Sequence, residues 1–423
     1  MSVTVLVEAA QLLTLADGPK DSPRAGPAQR ELGLRRGHSV ILRDDRVAWV
    51  GPERERPATP GAAEIDCRGR VVMPALIDSH THLVWAGDRK DELELRLAGA
   101  DYEQIFATGG GILASVRQTR ATDDDTLLAE SRARLERMRR SGTTSFEIKS
   151  GYGLDLTTEL RQLRVARRLS EETGVRVRTT CLAAHALPAE LREHADGRAE
   201  FIRRICSEIL PSVAAAGLAD ACDVFCDRGA FSIDEAREVC LAARALGMQL
   251  RLHANEFGHT GGARLAAELR ARSADHLLHL DDTEREALRA AGVVATLLPG
   301  TSLVLGKPYA DGRALVRAGV PIAVATDCNP GSCALESLAM VLALACYGCK
   351  LSPAEALCAV THNAACSLDL ADRQPTAQRG RRPVPGLCVE PGALLHGMVI
   401  AQREGHQLIE VDAVLAVQRQ QPG

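Results

Sequence analysis

Eight short apolar runs, each strand-like, alternate with amphipathic helical stretches from residue 74 onward, and this alternation constrains the fold more than any other feature. Strands that alternate with helices are typical of βα units and a parallel sheet. Eight such units predict an α/β fold of the closed (β/α)8, or TIM-barrel, type. The predicted strands span residues 75–82, 143–150, 175–185, 221–227, 249–256, 273–278, 293–300 and 321–329.

The two ends of the chain have a different pattern. Residues 1–73 contain short strand patterns separated by turns, and residues 376–423 return to short strands. Because the N-terminal region is too short to bury a core alone, we predict a small β-sandwich-like domain built from both ends, beside a barrel of residues 74–375. The Gly-, Pro- and charge-rich stretch 17–37 predicts a mobile loop. The long first connection, 83–142, predicts an extra layer over the barrel mouth.

Composition and charge narrow the class of function. The 423 residues carry a net charge of −4, and no basic stripe indicates a nucleic-acid surface. No apolar run reaches the roughly 18 residues that a membrane span needs. The first residues lack the features of a signal peptide. The thirteen cysteines are therefore expected to be reduced thiols and not a disulfide framework. We therefore expect a cytoplasmic enzyme that binds neither nucleic acid nor membrane.

Unusual polar residues fall at the carboxyl ends of predicted strands. Branched apolar side chains are expected to fill a barrel interior, whereas catalytic residues face its mouth. His80 and His82 end the first strand, His253 the fifth and Asp327 the eighth. An H-x-H pair alone can simply cap a strand, but residues i and i+2 share one face, so both imidazoles can reach one point. Three histidines and one aspartate predict a site for Zn²⁺ or Fe²⁺.

Such a site predicts hydrolysis. A bound divalent ion lowers the pKa of its water towards neutrality. Asp327 can accept the proton of that water and return it to a leaving nitrogen. His276, at the end of the sixth strand, can donate a hydrogen bond to the hydroxide or to the developing oxyanion. The alternative for His276 is a purely structural hydrogen bond.

Several motifs resemble the amidohydrolase superfamily and, within it, the imidazolonepropionase family. EIKSGYGL (147–154) and DCNPGS (327–332) are the most specific, and MPALIDSHTHLVWAGDR, AAHALP, LHANEF, SADHL and LLPG occur in the expected order. The resemblance covers nearly the whole chain. It implies a homodimer that hydrolyses 4-imidazolone-5-propanoate to N-formimidoyl-L-glutamate. Two-metal relatives use a carboxylated lysine on the fourth strand, and residues 221–227 contain no lysine, which predicts one metal ion per chain.

The resemblance also implies substrate-binding residues. Arg89 lies just beyond the metal histidines, and its planar guanidinium suits the substrate's propionate carboxylate. By their place in the matching motifs, the remaining substrate-binding residues are Tyr152, His185, Glu256, Asn329, Gly331 and Ser332. Glu256 can also carry a proton, so the general base stays open between Glu256 and Asp327. Each of these residues has a structural alternative: Arg89 can belong to a surface charge cluster, and Tyr152 can be a turn aromatic.

Two segments depart from the family pattern. Residues 301–316 are less aromatic than expected, which can alter the pocket, and the tail lacks an expected turn before its last strand. Two rival functions also stay open. A deaminase would use the same metal set to attack an amidine carbon, although Arg89 and Tyr152 do not suit a neutral nucleobase. A non-catalytic scaffold would have no need of the four metal ligands.

Overall fold

The computed structural model describes residues 3–19, 21–44, 46–99, 110–370 and 398–401. Within the described N-terminal region, the strands are β1 Val3–Ala9, β2 Gln11–Leu13, β3 Leu34–Arg35, β4 His38–Arg43, β5 Arg46–Pro52, β6 Ala63–Asp66 and β7 Val71–Pro74. They lie in two small sheets. One has the order β5-β4-β1-β6, and in the other β7-β2-β3 are joined by Met398–Ala401, which runs antiparallel to β7.

The next eight strands form one parallel sheet, ordered along the chain, that curls into the barrel. Every one of them lies inside its predicted span, so the predicted barrel is confirmed. The strands are β8 Leu76–Asp78, β9 Thr143–Lys149, β10 Arg176–Ala184, β11 Ala221–Cys226, β12 Gln249–Ala254, β13 Ser273–His276, β14 Val294–Leu297 and β15 Ile322–Val324.

Helices pack around this sheet, and local capping explains where several of them begin. Ser232 and Glu235 form a capping box, each side chain accepting a hydrogen bond from the backbone N–H of the other. The described α-helices are Lys90–Leu97, Ile112–Ala121, Asp124–Arg140, Leu156–Thr173, Gly197–Arg204, Leu210–Ala215, Ile233–Ala245, Gly262–Glu268, Asp282–Ala291, Pro299–Val304, Gly312–Ala318, Leu338–Tyr347, Pro353–Ala359 and His362–Ser367. Short 3₁₀ turns (Gly26–Arg30, Glu53–Glu55, Ala189–Leu191) and a π turn (Ile205–Ile209) complete the described helical elements.

The barrel closes between its first and last strands. The backbone N–H of Asp327 donates to the carbonyl oxygen of His80 at 3.0 Å. The Asp78 carboxylate accepts hydrogen bonds from the backbone N–H and the hydroxyl of Thr326, at 3.1 and 2.6 Å. This closure brings the carboxyl ends of β8 and β15 side by side at the mouth.

The segment 17–37 differs from the predicted mobile loop. Arg24 is fully buried, its Nη2 donates to the carbonyl oxygen of Leu15 at 2.6 Å, and its backbone N–H donates to Asn363 Oδ1 at 2.8 Å. The Gln29 side chain accepts a hydrogen bond from the backbone N–H of Ile322 at 3.1 Å. The described part of this segment is therefore packed against the barrel, because its polar side chains bond groups at the base of the last strand and helix.

Two predicted features fall partly outside the described residues. Residues 100–109 of the predicted extra layer, and residues 371–397 and 402–423 around the predicted tail strands, are among those not described. The domain boundaries at 73 and 375 therefore stay a prediction. Every described cysteine is a free thiol. The helices among the described residues are all too short or too polar to cross a membrane.

Candidate metal centre and active site

The four predicted metal ligands converge in the barrel mouth. His80, His82 and His253 each present a ring nitrogen, and these atoms lie within 4.8 Å of one another. Asp327 Oδ1 lies 3.5 Å from His80 Nε2 and 3.4 Å from His82 Nε2. All four side chains are buried. Strands β8, β12 and β15 thus bring three imidazoles and a carboxylate to one point.

The electrostatics of this cluster fit a bound cation. His80 Nε2 is buried without a well-aligned hydrogen-bond partner among the described residues, which is costly unless a ligand occupies it. Burial lowers the pKa of His82 to about 4, so its ring is a neutral donor at neutral pH. Burial and Lys149 lower the pKa of His80, but Asp275 and Asp327 outweigh them and raise it to about 9. A zinc or iron ion suits this donor set and would take the place of that proton.

Two carboxylates support the ligand histidines from behind. The Nδ1 of His80 lies 2.7 Å from Asp275 Oδ2, and the Nδ1 of His253 lies 3.0 Å from Asp223 Oδ2. Carboxylates in this position fix the orientation of a histidine and direct its other nitrogen at the metal. The supports come from β11 and β13, the neighbours of the strand that carries His253.

A buried ammonium group joins these two carboxylates. Lys149 Nζ lies 2.8 Å from Asp223 Oδ2, 3.9 Å from Asp275 Oδ2 and 2.8 Å from Glu147 Oε1. Burial lowers the pKa of Lys149, but Asp223 and Glu147 outweigh it and raise the pKa above its ordinary value, so the side chain stays charged. The expectation of an apolar barrel interior is therefore wrong at this level, because a layer of charged side chains lies beneath the metal ligands.

His276 and Glu256, whose part in proton transfer stays a prediction, lie beside the cluster. His276 Nε2 is 3.6 Å from Glu256 Oε2. Burial lowers the pKa of His276 to about 3, so its ring stays neutral and keeps one N–H to donate. Burial, with Asp327 and Asp227 nearby, raises the pKa of Glu256 well above its ordinary value, which favours the protonated form of this carboxyl group.

The backbone at three strand ends adopts the left-handed region. The φ angles are 53° at Asn255, 75° at His276 and 54° at Asp327. Side-chain-bearing residues seldom take this conformation, which costs about 1–3 kcal/mol each and concentrates at functional sites. Beside Asn255, the Asp227 carboxylate accepts the backbone N–H of Glu256 at 2.5 Å and fixes the turn. The chain thus bends sharply where its polar side chains enter the mouth.

Aromatic rings form one wall of the site. His185 stacks on His82 with ring centroids 5.1 Å apart, and its Nδ1 lies 3.0 Å from the carbonyl oxygen of Gly151. The Tyr152 ring lies 5.5 Å from that of His185. On the fourth barrel strand, the apolar Phe225 faces His253 with centroids 5.5 Å apart. This strand thus presents a ring, not a lysine, at the level of the metal ligands.

Arg89 lies against the loop that follows β15. Its Nε and Nη2 donate to the two carboxylate oxygens of Glu92 at 2.9 and 2.6 Å. A methyl group at Gly331 would overlap the Arg89 guanidinium, which would then have to leave its present position. The Arg89 side chain is only 14% exposed, which disfavours its assignment to a surface cluster.

Asn329 and Ser332 build that loop. Asn329 Oδ1 accepts the backbone N–H groups of Gly331 and Ser332 at 2.9 and 2.7 Å. Asn329 Nδ2 donates to the carbonyl oxygen of Asp327 at 2.7 Å and to Ser332 Oγ at 2.9 Å. These side chains hold the backbone that supports Arg89, and their direct contact with substrate stays a prediction.

The groups that contact the metal ligands or their supporting carboxylates were not predicted from the sequence: Glu147, Lys149, Asp223, Asp275 and Thr301. Alternating charges at 147 and 149 in an otherwise buried strand were an available signal, because both residues must face the same side. Thr301, whose hydroxyl reaches Asp327, carries no such signal.

A parallel barrel with this buried cluster at its mouth defines a metal-dependent hydrolase. Residues 71–374 match the Amidohydrolase family, and the chain belongs to that family. Within it, the chain is a member of the imidazolonepropionase family. It is 45% identical to the imidazolonepropionase of Deinococcus radiodurans over 88% of this chain and 90% of that one, and 48% identical to that of Aromatoleum aromaticum over 84% and 86%. The crystal structure of a triazine hydrolase variant shares the fold, with a TM-score of 0.73, 15% identity and coverage of 97% and 90%.

Proposed function

We propose that this chain is an imidazolonepropionase: it hydrolyses the cyclic amide of 4-imidazolone-5-propanoate to N-formimidoyl-L-glutamate in histidine degradation. The observation that carries the proposal is the buried convergence of His80, His82, His253 and Asp327. The high identity to relatives named for this activity supports the choice of substrate.

The residues around the cluster suit a hydrolytic sequence. One zinc or iron ion per chain, held by the four ligands, would lower the pKa of a water molecule to near neutrality. A water oxygen would bond to the ring carbonyl carbon, and Asp327 would accept the proton that this water loses. His276 donates its N–H to the oxyanion that develops. The ring C–N bond then breaks, and Asp327 or the protonated Glu256 supplies a proton to the leaving nitrogen.

We propose that Arg89 binds the propionate carboxylate of the substrate. Glu92 and the close contact at Gly331 orient its guanidinium in advance, which reduces the entropy lost on binding. Tyr152 and His185 line the adjacent wall. The three remaining residues of the substrate set are Glu256, Asn329 and Ser332.

An assay with two readouts tests the function. Purified protein is incubated with 4-imidazolone-5-propanoate, ring opening is followed by ultraviolet absorbance, and ammonia is measured in parallel with adenine and guanine as alternative substrates. Elemental analysis counts the bound metal. We expect ring opening, no ammonia from the nucleobases and about one metal ion per chain. Ammonia release without ring opening would identify a deaminase, and a stable protein that binds no metal would favour a scaffold.

The role of Asp327 is tested separately. We expect Asp327→Asn to reduce turnover by about 10²–10⁴-fold, because an amide cannot accept the proton. Metal content is measured on the same sample, and Glu256→Gln is compared with it to separate the two candidate bases. An Asp327→Asn enzyme that kept its metal and its full rate would show that the proton moves through another group.

We also propose a cytoplasmic homodimer. The free, largely buried cysteines among the described residues suit a reducing compartment. Light scattering of the purified protein would report the oligomeric state directly.

A further inference from the structure

Asp327 receives a hydrogen bond from a short helix to which no function has been assigned. Strand β14 leads into the short helix Pro299–Val304, and Thr301 in that helix is buried. Its Oγ1 donates to Asp327 Oδ2 at 2.5 Å. The hydroxyl therefore contacts a proposed metal ligand.

The two oxygens of the Asp327 carboxylate have different surroundings. Oδ1 faces the ring nitrogens of His80 and His82, at 3.5 and 3.4 Å. Oδ2 accepts the hydroxyl of Thr301. One oxygen thus faces the ligand histidines and the other accepts a hydrogen bond from Thr301.

The hydrogen bond from Thr301 restricts how the side chain of Asp327 can rotate. The backbone of Asp327 is held on both sides, since its N–H donates to the carbonyl oxygen of His80 at 3.0 Å and its carbonyl oxygen accepts Asn329 Nδ2 at 2.7 Å. Its φ angle of 54° further fixes the direction of the side chain. The side chain can still rotate about its Cα–Cβ and Cβ–Cγ bonds, and a donor on Oδ2 restricts both rotations.

We propose that Thr301 is a positioning residue that separates the tasks of the Asp327 oxygens, keeping Oδ1 on the metal and Oδ2 available for the proton. This inference rests on the proposed function for its effect on turnover. Its effect on metal binding does not depend on which substrate the enzyme takes. Partners that orient a metal ligand typically contribute about 10–100-fold in metal affinity or activity.

Three variants test the proposal. Thr301→Val keeps the shape of the side chain and removes the hydroxyl, whereas Thr301→Ser keeps the hydroxyl. Thr296→Val is the matched control, because Thr296 lies in β14, is fully buried, and its hydroxyl has no hydrogen-bond partner among the described residues. Thermal unfolding of all three verifies that they are folded.

Zinc affinity is measured by competition with a chromophoric chelator, and kcat and KM are measured with 4-imidazolone-5-propanoate. We expect Thr301→Val to lose about 10–100-fold in zinc affinity or kcat with little change in KM, and Thr301→Ser and Thr296→Val to stay near wild type. If Thr301→Val matched Thr296→Val in both measurements, or if a folded Thr301→Ser enzyme were as impaired as Thr301→Val, the hydroxyl would not position Asp327. A wild-type enzyme that bound zinc but left the imidazolone intact would refute the proposed function while leaving the zinc test of Thr301 valid.

Discussion

Two carboxyl groups in the mouth, Asp327 and Glu256, have pKa values that their surroundings shift in opposite directions. Burial raises the pKa of both. Around Asp327, His80 and His82 outweigh burial and hold the pKa well below its usual value. Around Glu256, burial together with Asp327 and Asp227 outweighs Lys307 and His80, so the pKa stays well above its usual value. A pair of acids separated in this way can divide acceptance and donation of a proton between them.

The protonated state of Glu256 has a measurable effect on stability. Its pKa is raised in the folded protein, so the folded state binds this proton more tightly than the unfolded chain does. The resulting cost to the folded state is absent below the ordinary carboxyl pKa and grows as the pH rises towards the folded value. We therefore expect Glu256→Gln, in metal-stripped protein, to be more stable than wild type at neutral pH, by on the order of 1 kcal/mol.

Thermal unfolding at about pH 4 and about pH 8 measures this difference. The two proteins should melt alike in acid, and the variant should melt higher near pH 8. A gap of equal size at both pH values would mean that the substitution acts through packing and not through the proton.

Among the elements, the loop after β15 carries a prediction for substrate binding. Gly331 contacts the Arg89 guanidinium so closely that a methyl group has no room. We expect Gly331→Ala to displace Arg89 and to raise KM about tenfold or more, as the loss of a charge-assisted bidentate contact would, with a smaller effect on kcat.

Steady-state kinetics of three variants check this. Arg89→Met should show the same rise in KM, and the double variant should be little worse than either, because both substitutions remove one contact. Gly258→Ala is the control, since an added methyl there meets the guanidinium of Arg228, an exposed side chain that can move aside. If the effects of the Gly331 and Arg89 substitutions on KM were additive, the loop would affect substrate binding independently of Arg89.

The charged layer under the ligands carries a second prediction at this scale. Lys149 is the cation that links β9 to β11 and β13. Removing one partner of a buried ion pair typically costs about 3–5 kcal/mol, because the other charges are left uncompensated. We expect a loss of this size for Lys149→Met in denaturant unfolding, and a partial recovery when Glu147→Gln is added.

Elements along the chain were predictable from sequence, whereas contacts between distant elements were not. All eight barrel strands lie inside their predicted spans because each is a short apolar run bounded by a helix pattern. His80 and His82 were found because spacing within one strand sets their direction. Lys149 contacts Asp223 and Asp275 only because the sheet curls into a barrel, which the sequence pattern of a single strand does not show. The hydroxyl of Thr301 depends on the turn after β14, which periodicity does not encode.

At the scale of the whole molecule, the metal site joins parts of the barrel that are distant in sequence. Its proposed ligands come from the first strand, the fifth and the last, so an ion bound there would connect opposite sides of the barrel and the strands at which it closes. A ligand that binds only the folded state stabilises that state by mass action. The stability of the entire barrel should therefore depend on metal concentration.

We expect metal removal by a chelator to lower the midpoint of thermal unfolding, and added zinc to restore it in a concentration-dependent way. At about 1,000 times Kd, binding contributes about 4 kcal/mol, which corresponds to a rise of several degrees for a domain of this size. His82→Ala should abolish the response, while His259→Ala, which removes an exposed histidine outside the cluster, should keep it. If zinc did not change the melting temperature of the metal-stripped wild-type protein, an ion that bridges these strands would be contradicted. If His82→Ala still responded to zinc, the ion would bind elsewhere.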